Sequence, residues 1–119
     1  MRALLRVQEQ SDQRLTLLSG EIHLATRGEI RSATEPMQQL VASGITHPPP
    51  PKAYALTLGA LARLGEAPLP DHPIRLRPLP GRRAIYTAQR NYLLLERRQG
   101  QWSACWDLEH SGRTSSLAL

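Results

Sequence analysis

The second half of the chain alternates apolar and polar residues with a period of two. The segment "IRLRPL", which begins at Ile74, alternates aliphatic side chains with arginines, and the segments "RRAIYTAQ", "YLLLERR" and "QWSACWDLE" follow it. The turn sequences "PLPG", "RN" and "QG" separate them. Period-two segments with turns at hairpin spacing predict a four-stranded antiparallel meander.

Two segments of the first half follow a helical period instead. In "SATEPMQQLVASG", Thr34 is a suitable N-cap, Pro36 fits a first helical turn and Gly44 stands where a helix ends, so this segment predicts a helix. The segment "AYALTLGALARLG" predicts a second helix that ends at Gly65. The apolar face expected for it consists of Tyr54, Leu58, Leu61 and Ala62. Four consecutive prolines between the two helices predict a stiff, extended connector, followed later by the loop "EAPLPDHP".

The N-terminal segment fits two descriptions. "RALLRV" and "RLTLL" are interpreted as two short strands because Ser11-Asp12 is typical of a turn. The same stretch also places apolar residues at helical spacing, which leaves a helix as the alternative. "EIHLAT" then alternates and predicts a strand that ends at Arg27-Gly28.

Together these elements predict an α+β fold in which two short helices pack on a mainly antiparallel sheet. With 119 residues, the chain is expected to form a single domain, residues 1–119. Strand alternation places Trp102 and Trp106 on one face, and in a chain with few aromatic residues both are expected in the core. Cys105 lies between them and is expected to be a packed, unreactive side chain.

The charge of the protein is concentrated in one window. From Ile74 to Arg98, seven arginines stand against one glutamate, whereas the eight other basic residues stand against nine acidic ones. The whole net charge of +5 is therefore located there. Lys52 is the only lysine, which is typical of a GC-rich bacterial genome. Guanidinium groups bind phosphate and carboxylate in a planar, two-pronged manner, so the window is a candidate binding surface. The candidate residues are Arg75, Arg77, Arg82, Arg83, Arg90, Arg97, Arg98 and Tyr92.

Motifs of catalysis are missing from the sequence. It has no glycine-rich phosphate loop and no clustered metal ligands, and we expect neither a cofactor nor a metal. One cysteine excludes an intrachain disulfide, and the short apolar start is unlike a signal peptide or membrane span. These features predict a cytoplasmic protein without a membrane partner.

A family resemblance covers the residues from about Leu76 to His110. The order of "LARLGEAPLP", "IRLRPLPG", "AIYTAQRNYLLLERRQG" and "QWSACWDLEH" is similar to the C-terminal half of RelE/ParE-type toxins, especially their HigB-like branch. The resemblance implies an RNase in which Arg90, Arg97 and His110 handle RNA phosphates.

Three functional hypotheses follow. The favoured one is a non-enzymatic protein whose arginine face binds an anionic partner. Nucleic acid is the favoured partner, because its phosphates can contact several arginines at once. The second is a protein-interaction module, such as an adaptor, inhibitor or immunity-type protein, that docks an acidic protein surface. The third is the toxin-like RNase.

Overall fold

A computed structural model describes residues 1–11, 13–20, 23–64 and 71–119. Within them, two helices and eight strands confirm the predicted α+β class. The helices are α1 (Arg2–Gln10) and α2 (Lys52–Ala62). The strands are β1 (Thr16–Ser19), β2 (Thr26–Ile30), β3 (Met37–Val41), β4 (Ile74–Arg77), β5 (Asn91–Arg98), β6 (Gln101–Leu108), β7 (Gly112–Arg113) and β8 (Leu117–Ala118).

The strands form two sheets. In the N-terminal sheet the order is β1-β3-β2-β4, with β1 parallel to β3 and the other pairs antiparallel. In the C-terminal sheet, β6 pairs antiparallel with β5, β7 and β8. The four-stranded antiparallel C-terminal sheet agrees with the prediction, but two of its strands differ. The segment "IRLR" forms β4 and joins the N-terminal sheet, and "RRAIYTAQ" makes only one bridge, between Thr87 and Ala25.

The first predicted helix is wrong, because its central residues form β3. This strand lies between β1 and β2, and it buries side chains on both faces. Leu40 packs in one hydrophobic cluster and Met37 in another. A strand that is buried on both sides loses the alternation of apolar and polar residues. Its apolar positions can then match the spacing expected for one face of a short helix.

The N-terminal segment forms one helix and one strand. "RALLRV" lies in α1, against the interpretation as a strand, while "TLLS" forms β1. Helix α1 buries Leu5 against Ile30 and Met37. The next strand also lies later than predicted, since β2 passes through Gly28. Asp12 of the predicted turn lies outside the described residues, as do Glu21 and Ile22 of the predicted strand.

Helix α2 is confirmed, but its predicted packing face is wrong. The buried residues are Ala55 and Gly59, whereas Tyr54 and Leu61 are exposed. Small residues let the helix approach Ile85 and Tyr86 closely, since a Cβ at Gly59 would lie 3.7 Å from the Cβ of Ile85. The proline run precedes the helix as an extended connector that ends at Pro51. The predicted helix end at Gly65 and residues 66–70 of the predicted loop lie outside the described residues.

Trp106 joins the two sheets. Its ring is fully buried with Leu40 of the N-terminal sheet and Ala104 of the C-terminal sheet. Its indole Nε1 donates a hydrogen bond of 2.9 Å to the carbonyl of Val41. Trp102 shares the face of Trp106 but is 47% exposed, so its assignment to the core is wrong. Alternation determines the face of a strand but not how far the opposing sheet extends over it.

We predict that Trp106→Ala lowers the free energy of unfolding by about 3–5 kcal/mol, because it leaves a cavity and an unpaired carbonyl between the sheets. Trp102→Ala is the matched control, and it should cost much less because its ring is half exposed. Urea titrations of both variants measure the difference. Equal losses would contradict the assignment of Trp106 as the anchor between the sheets.

Candidate anion-binding site

The arginine-rich window is distributed over several parts of the surface. Arg75 and Arg77 lie on β4, Arg82 and Arg83 follow it, and Arg90 precedes β5. Arg97 and Arg98 close the far end of β5. At a rise of about 3.3 Å per residue, Arg90 and Arg97 are roughly 23 Å apart along this strand. The structure therefore does not gather the seven arginines on one face.

Most of these arginines have a partner within the chain. Arg77, Arg90 and Arg98 form ion pairs with Glu29, Glu109 and Glu96 at 2.8, 3.2 and 3.2 Å. Arg82 donates to the carbonyl of Ser111 at 3.0 Å, and the guanidinium of Arg97 lies over the ring of Trp102 at 5.8 Å. Of the seven, only Arg75 and Arg83 have side chains that make no ion pair, hydrogen bond or ring contact within the described residues.

Three arginines meet at one cleft beside β4. The cleft has a volume of about 240 Å³ and a mixed polar lining. We call it the arginine cleft, and it is lined by Glu29, Arg31, Ser32, Thr34, Pro36, Pro73, Arg75 and Arg77. The pairing of β2 with β4 creates it, since this register places Glu29 opposite Arg75 and Arg27 opposite Arg77. Directly opposite residues of an antiparallel pair share a face, so these charged side chains are brought together.

Glu29 organises the charges of the arginine cleft. Its carboxylate accepts from Nε of Arg77 at 2.8 Å and from Nη1 of Arg27 at 3.3 Å. Nε of Arg27 also donates to the carbonyl of Pro78 at 2.9 Å. Arg27 and Arg77 are therefore held by one carboxylate, and together with Glu29 they carry a net charge of +1.

Arg31 and Arg75 supply the binding capacity of the cleft. Both are exposed, and neither side chain makes an ion pair or hydrogen bond with the described part of the chain. Each guanidinium can offer two parallel N–H donors to a phosphate or carboxylate. The hydroxyl of Thr34 lines the same cleft as a further donor, whereas the hydroxyl of Ser32 already donates to the carbonyl of Glu35. The arrangement can hold an anion.

Arg31 was missed by the sequence reasoning because it lies outside the arginine-rich window. The signal was present in "TRGEIR", where Arg27, Glu29 and Arg31 fall two residues apart. In a strand this spacing puts all three on one face. Lys52 was also passed over, although it lines a second basic pocket of about 260 Å³ with Arg82 and Arg83 at the start of α2.

Tyr92 lies apart from the arginine cleft, on the outer face of the C-terminal sheet. Its hydroxyl donates to Asp107 at 2.9 Å, and Asp107 also pairs with Arg113 at 3.7 Å. The hydrogen bond to Asp107, together with the negative charge of this carboxylate, raises the pKa of the Tyr92 phenol. Arg113 acts in the opposite direction.

The residues implied by the toxin resemblance form two separate groups. Arg90 and His110 both approach the carboxylate of Glu109, at 3.2 and 3.6 Å. Arg97 lies at the distant end of β5, over Trp102. The geometry therefore does not assemble these three residues around a single phosphate.

Among the described residues, neither a cluster of metal ligands nor a membrane-spanning helix is found. No group of three or more histidine, cysteine, aspartate or glutamate side chains is arranged there to hold a metal ion. No helix in those ranges is long and apolar enough to cross a membrane.

Comparisons with known proteins give no assignment, since no protein family, no curated protein and no solved structure matches the chain.

We predict that Asp107→Asn lowers the pKa of Tyr92 towards the ordinary value of about 10, because the substitution removes the acceptor charge that stabilises the neutral phenol. A folded-state pKa that is raised adds stability below the unfolded pKa, and this stability is lost as the pH rises through the folded pKa. Because Asp107→Asn brings the folded pKa of Tyr92 back towards the unfolded one, the alkaline loss of stability from this group should become smaller in the variant. Phenolate absorbance titrations measure the pKa, with Tyr92→Phe identifying the signal. An unchanged titration would contradict the hydrogen bond.

Proposed function

We propose that this chain is a non-enzymatic binding protein that holds an anionic partner, nucleic acid, at the arginine cleft. The observation that carries the proposal is the pair of free guanidiniums, Arg31 and Arg75, beside an Arg77 that Glu29 holds in place. A preorganised arginine next to two available ones binds a phosphate without first breaking an ion pair. The proposal includes a cytoplasmic location, in keeping with the lone cysteine.

Nucleic acid is favoured over a small anion because of the basic groups beyond the cleft. Lys52, Arg82 and Arg83 form the second basic pocket, and Arg97 and Arg98 lie exposed at the end of β5. A polymer of phosphates can contact more than one of these groups and release counterions at each. A single small anion would occupy only one.

The direct test is the double variant Arg31→Glu/Arg75→Glu, which leaves the Glu29–Arg77 ion pair in place. We expect it to remain folded, with a small loss of stability from the new carboxylate opposite Glu29, and to bind DNA or RNA about tenfold or more weakly at moderate salt, since two phosphate contacts are lost. The slope of log affinity against log salt concentration should fall by roughly 0.7–0.9 for each contact. Fluorescence anisotropy of labelled oligonucleotides at several salt concentrations measures both quantities.

The matched control for this test is Arg6→Glu/Arg63→Glu, which changes the net charge equally at two exposed positions outside the cleft. It should retain most of the affinity of the parent, and its salt slope should be larger than that of the Arg31→Glu/Arg75→Glu variant. If both double variants lose affinity equally, the binding follows net charge and the arginine cleft is not the site. Unchanged binding in the cleft variant would also overturn the proposal.

A second variant tests the role of Glu29 in the cleft. We predict that Glu29→Gln strengthens nucleic-acid binding, because it raises the net positive charge around the three arginines. It should also lower the free energy of unfolding by about 1–2 kcal/mol, because the partly buried Arg27 loses its charged acceptor. Anisotropy and thermal melts measure the two effects. Weaker binding in a folded variant would show that the cleft needs the carboxylate to orient Arg77.

The protein-interaction module remains a second candidate because of the surface of α2. This helix is largely apolar, and it exposes Tyr54, Leu56 and Leu61, with Leu64 exposed beyond its end. Exposed apolar patches of this kind are typical of protein interfaces. The observation favours an apolar partner surface over the acidic surface expected from the charge.

For this second candidate, we predict that Leu56→Asp/Leu61→Asp abolishes capture of a specific protein partner from nuclease-treated host lysate. The substitutions change exposed positions, so the melting temperature should fall little. Capture by the parent and by Arg31→Glu/Arg75→Glu, but not by the α2 variant, is the expected result. Equal capture by the parent and the α2 variant would contradict a docking role for this helix.

A further inference from the structure

The inward face of the C-terminal sheet extends beyond the core that covers it. Ala104 and Trp106 of β6 are buried against the N-terminal sheet, and Trp102 continues the same face. Leu95 lies opposite Ala104 on β5, so it also points towards the other sheet. Trp102 and Leu95 are nevertheless 47% and 40% exposed. Large apolar groups therefore line an opening between the sheets rather than a closed core.

The N-terminal sheet presents a matching apolar side to this opening. Leu18 of β1 is in register with Leu40 of β3, and residues in register share a face. Leu40 is fully buried in the core between the sheets, while Leu18 is 55% exposed. The two sheets thus diverge from the buried core towards β1 and the far end of β5.

This opening is a cleft of about 540 Å³, which we call the inter-sheet cleft. Its lining consists of Gln13, Arg14, Leu15, Thr16, Leu18, Leu95, Trp102 and Leu119. The volume lies within the range of small-molecule sites, and so does the combination of an apolar wall with few polar groups. It shares no lining residue with the arginine cleft.

Two basic side chains, Arg14 and Arg97, lie at the inter-sheet cleft. Arg14 lines it directly, and the guanidinium of Arg97 lies 5.8 Å from the ring centre of Trp102. The only ion pair of Arg14 within the described residues is a long one, 3.9 Å from Glu35, and both side chains are mostly exposed. Among the described residues that line the cleft, none has an acidic side chain. Its rim is therefore complementary to a negative group, while its interior is complementary to hydrocarbon.

We propose that the inter-sheet cleft binds a small amphiphilic anion, a molecule with an alkyl or aryl body and one carboxylate. The body packs between Leu18, Leu95 and Trp102, and the carboxylate lies at the rim near Arg14 and Arg97. A nucleobase fits the cleft less well, because among the described lining residues only Gln13 and Thr16 have uncharged polar side chains that could pair with its edge. The site shares no lining residue with the arginine cleft, although Arg97 at its rim is also one of the outer basic groups proposed to contact nucleic acid.

The test uses dodecanoate, kept below the concentration at which it forms micelles, as the probe. Calorimetry should show saturable binding to one site, and the tryptophan emission should change because the half-exposed Trp102 becomes covered. Dodecyltrimethylammonium has the same alkyl chain with a positive head group, and it should bind more weakly because the rim is basic. The emission change should vanish in Trp102→Leu and persist in Trp106→Phe.

Two charge variants locate the carboxylate. Arg97→Gln should weaken dodecanoate binding about threefold or more, whereas Arg98→Gln, on the other face of β5, should leave it nearly unchanged. Leu18→Glu, at an exposed position inside the cleft, should weaken binding about tenfold or more through charge repulsion. Thermal melts establish that the variants are folded.

Three results would overturn the proposal. The first is the lack of saturable dodecanoate binding by the folded parent. The second is equal affinity for the anionic and cationic detergents, which would indicate nonspecific adsorption to apolar surface. The third is displacement of the probe by a short single-stranded oligonucleotide with higher affinity than dodecanoate, which would identify Trp102 as a stacking surface for bases.

Discussion

The contact between Trp106 and β3 is the interaction on which the rest of the structure depends. The indole ring fills the space between the two sheets, and its Nε1–H satisfies the carbonyl of Val41 at the end of β3. The backbone N–H of Trp106 is bound by the hydroxyl of Thr114, which ties the C-terminal segment to the same point. A chain with so few aromatic residues concentrates its inter-sheet packing at this ring. The position of the N-terminal sheet relative to the C-terminal sheet follows from it.

Both candidate sites lie on surfaces that this contact leaves uncovered. On the inward face of the N-terminal sheet, Leu40 lies in the core between the sheets. Glu29 lies on the same face but outside this core, together with Arg27 and Arg77. Because Glu29 is half-buried, its ion pairs hold Arg27 and Arg77 firmly in place. A carboxylate removed from part of its water binds nearby guanidiniums more strongly than a fully solvated one does. The arginine cleft thus combines fixed and free arginines within two adjacent strands.

The elements that the sequence predicted well depend on local signals. The hairpin of β5 and β6 was predicted because two alternating segments flank Gln99-Gly100, and both residues adopt the positive φ angles that a tight hairpin turn requires. Helix α2 was predicted because its apolar residues follow helical spacing up to a glycine that can end a helix. In both cases neighbouring residues along the chain contain all the information that is needed.

The elements that were missed depend on contacts between distant residues. β3 was mistaken for a helix because burial on both faces comes from α1 on one side and Trp106 on the other. The arginine cleft needs the pairing of β2 with β4, whose residues Glu29 and Arg75 are far apart in the chain. The predicted arginine face contained Arg75 and Arg77, but only the register shows that Arg31 accompanies them. Strand order and register across such separations cannot be derived from local pattern.

The central claim is that anions bind at the arginine cleft rather than along the whole arginine-rich window. An NMR titration that follows the Nε–H signals of the arginines tests it most directly, with a short DNA duplex and an RNA strand added in turn. The account predicts that the signals of Arg31 and Arg75 shift first and saturate together, while those of Arg90 and Arg98, which are paired with glutamates, move later and less. Shifts that are largest at Arg97 and Arg98, or equal at every arginine, would contradict it.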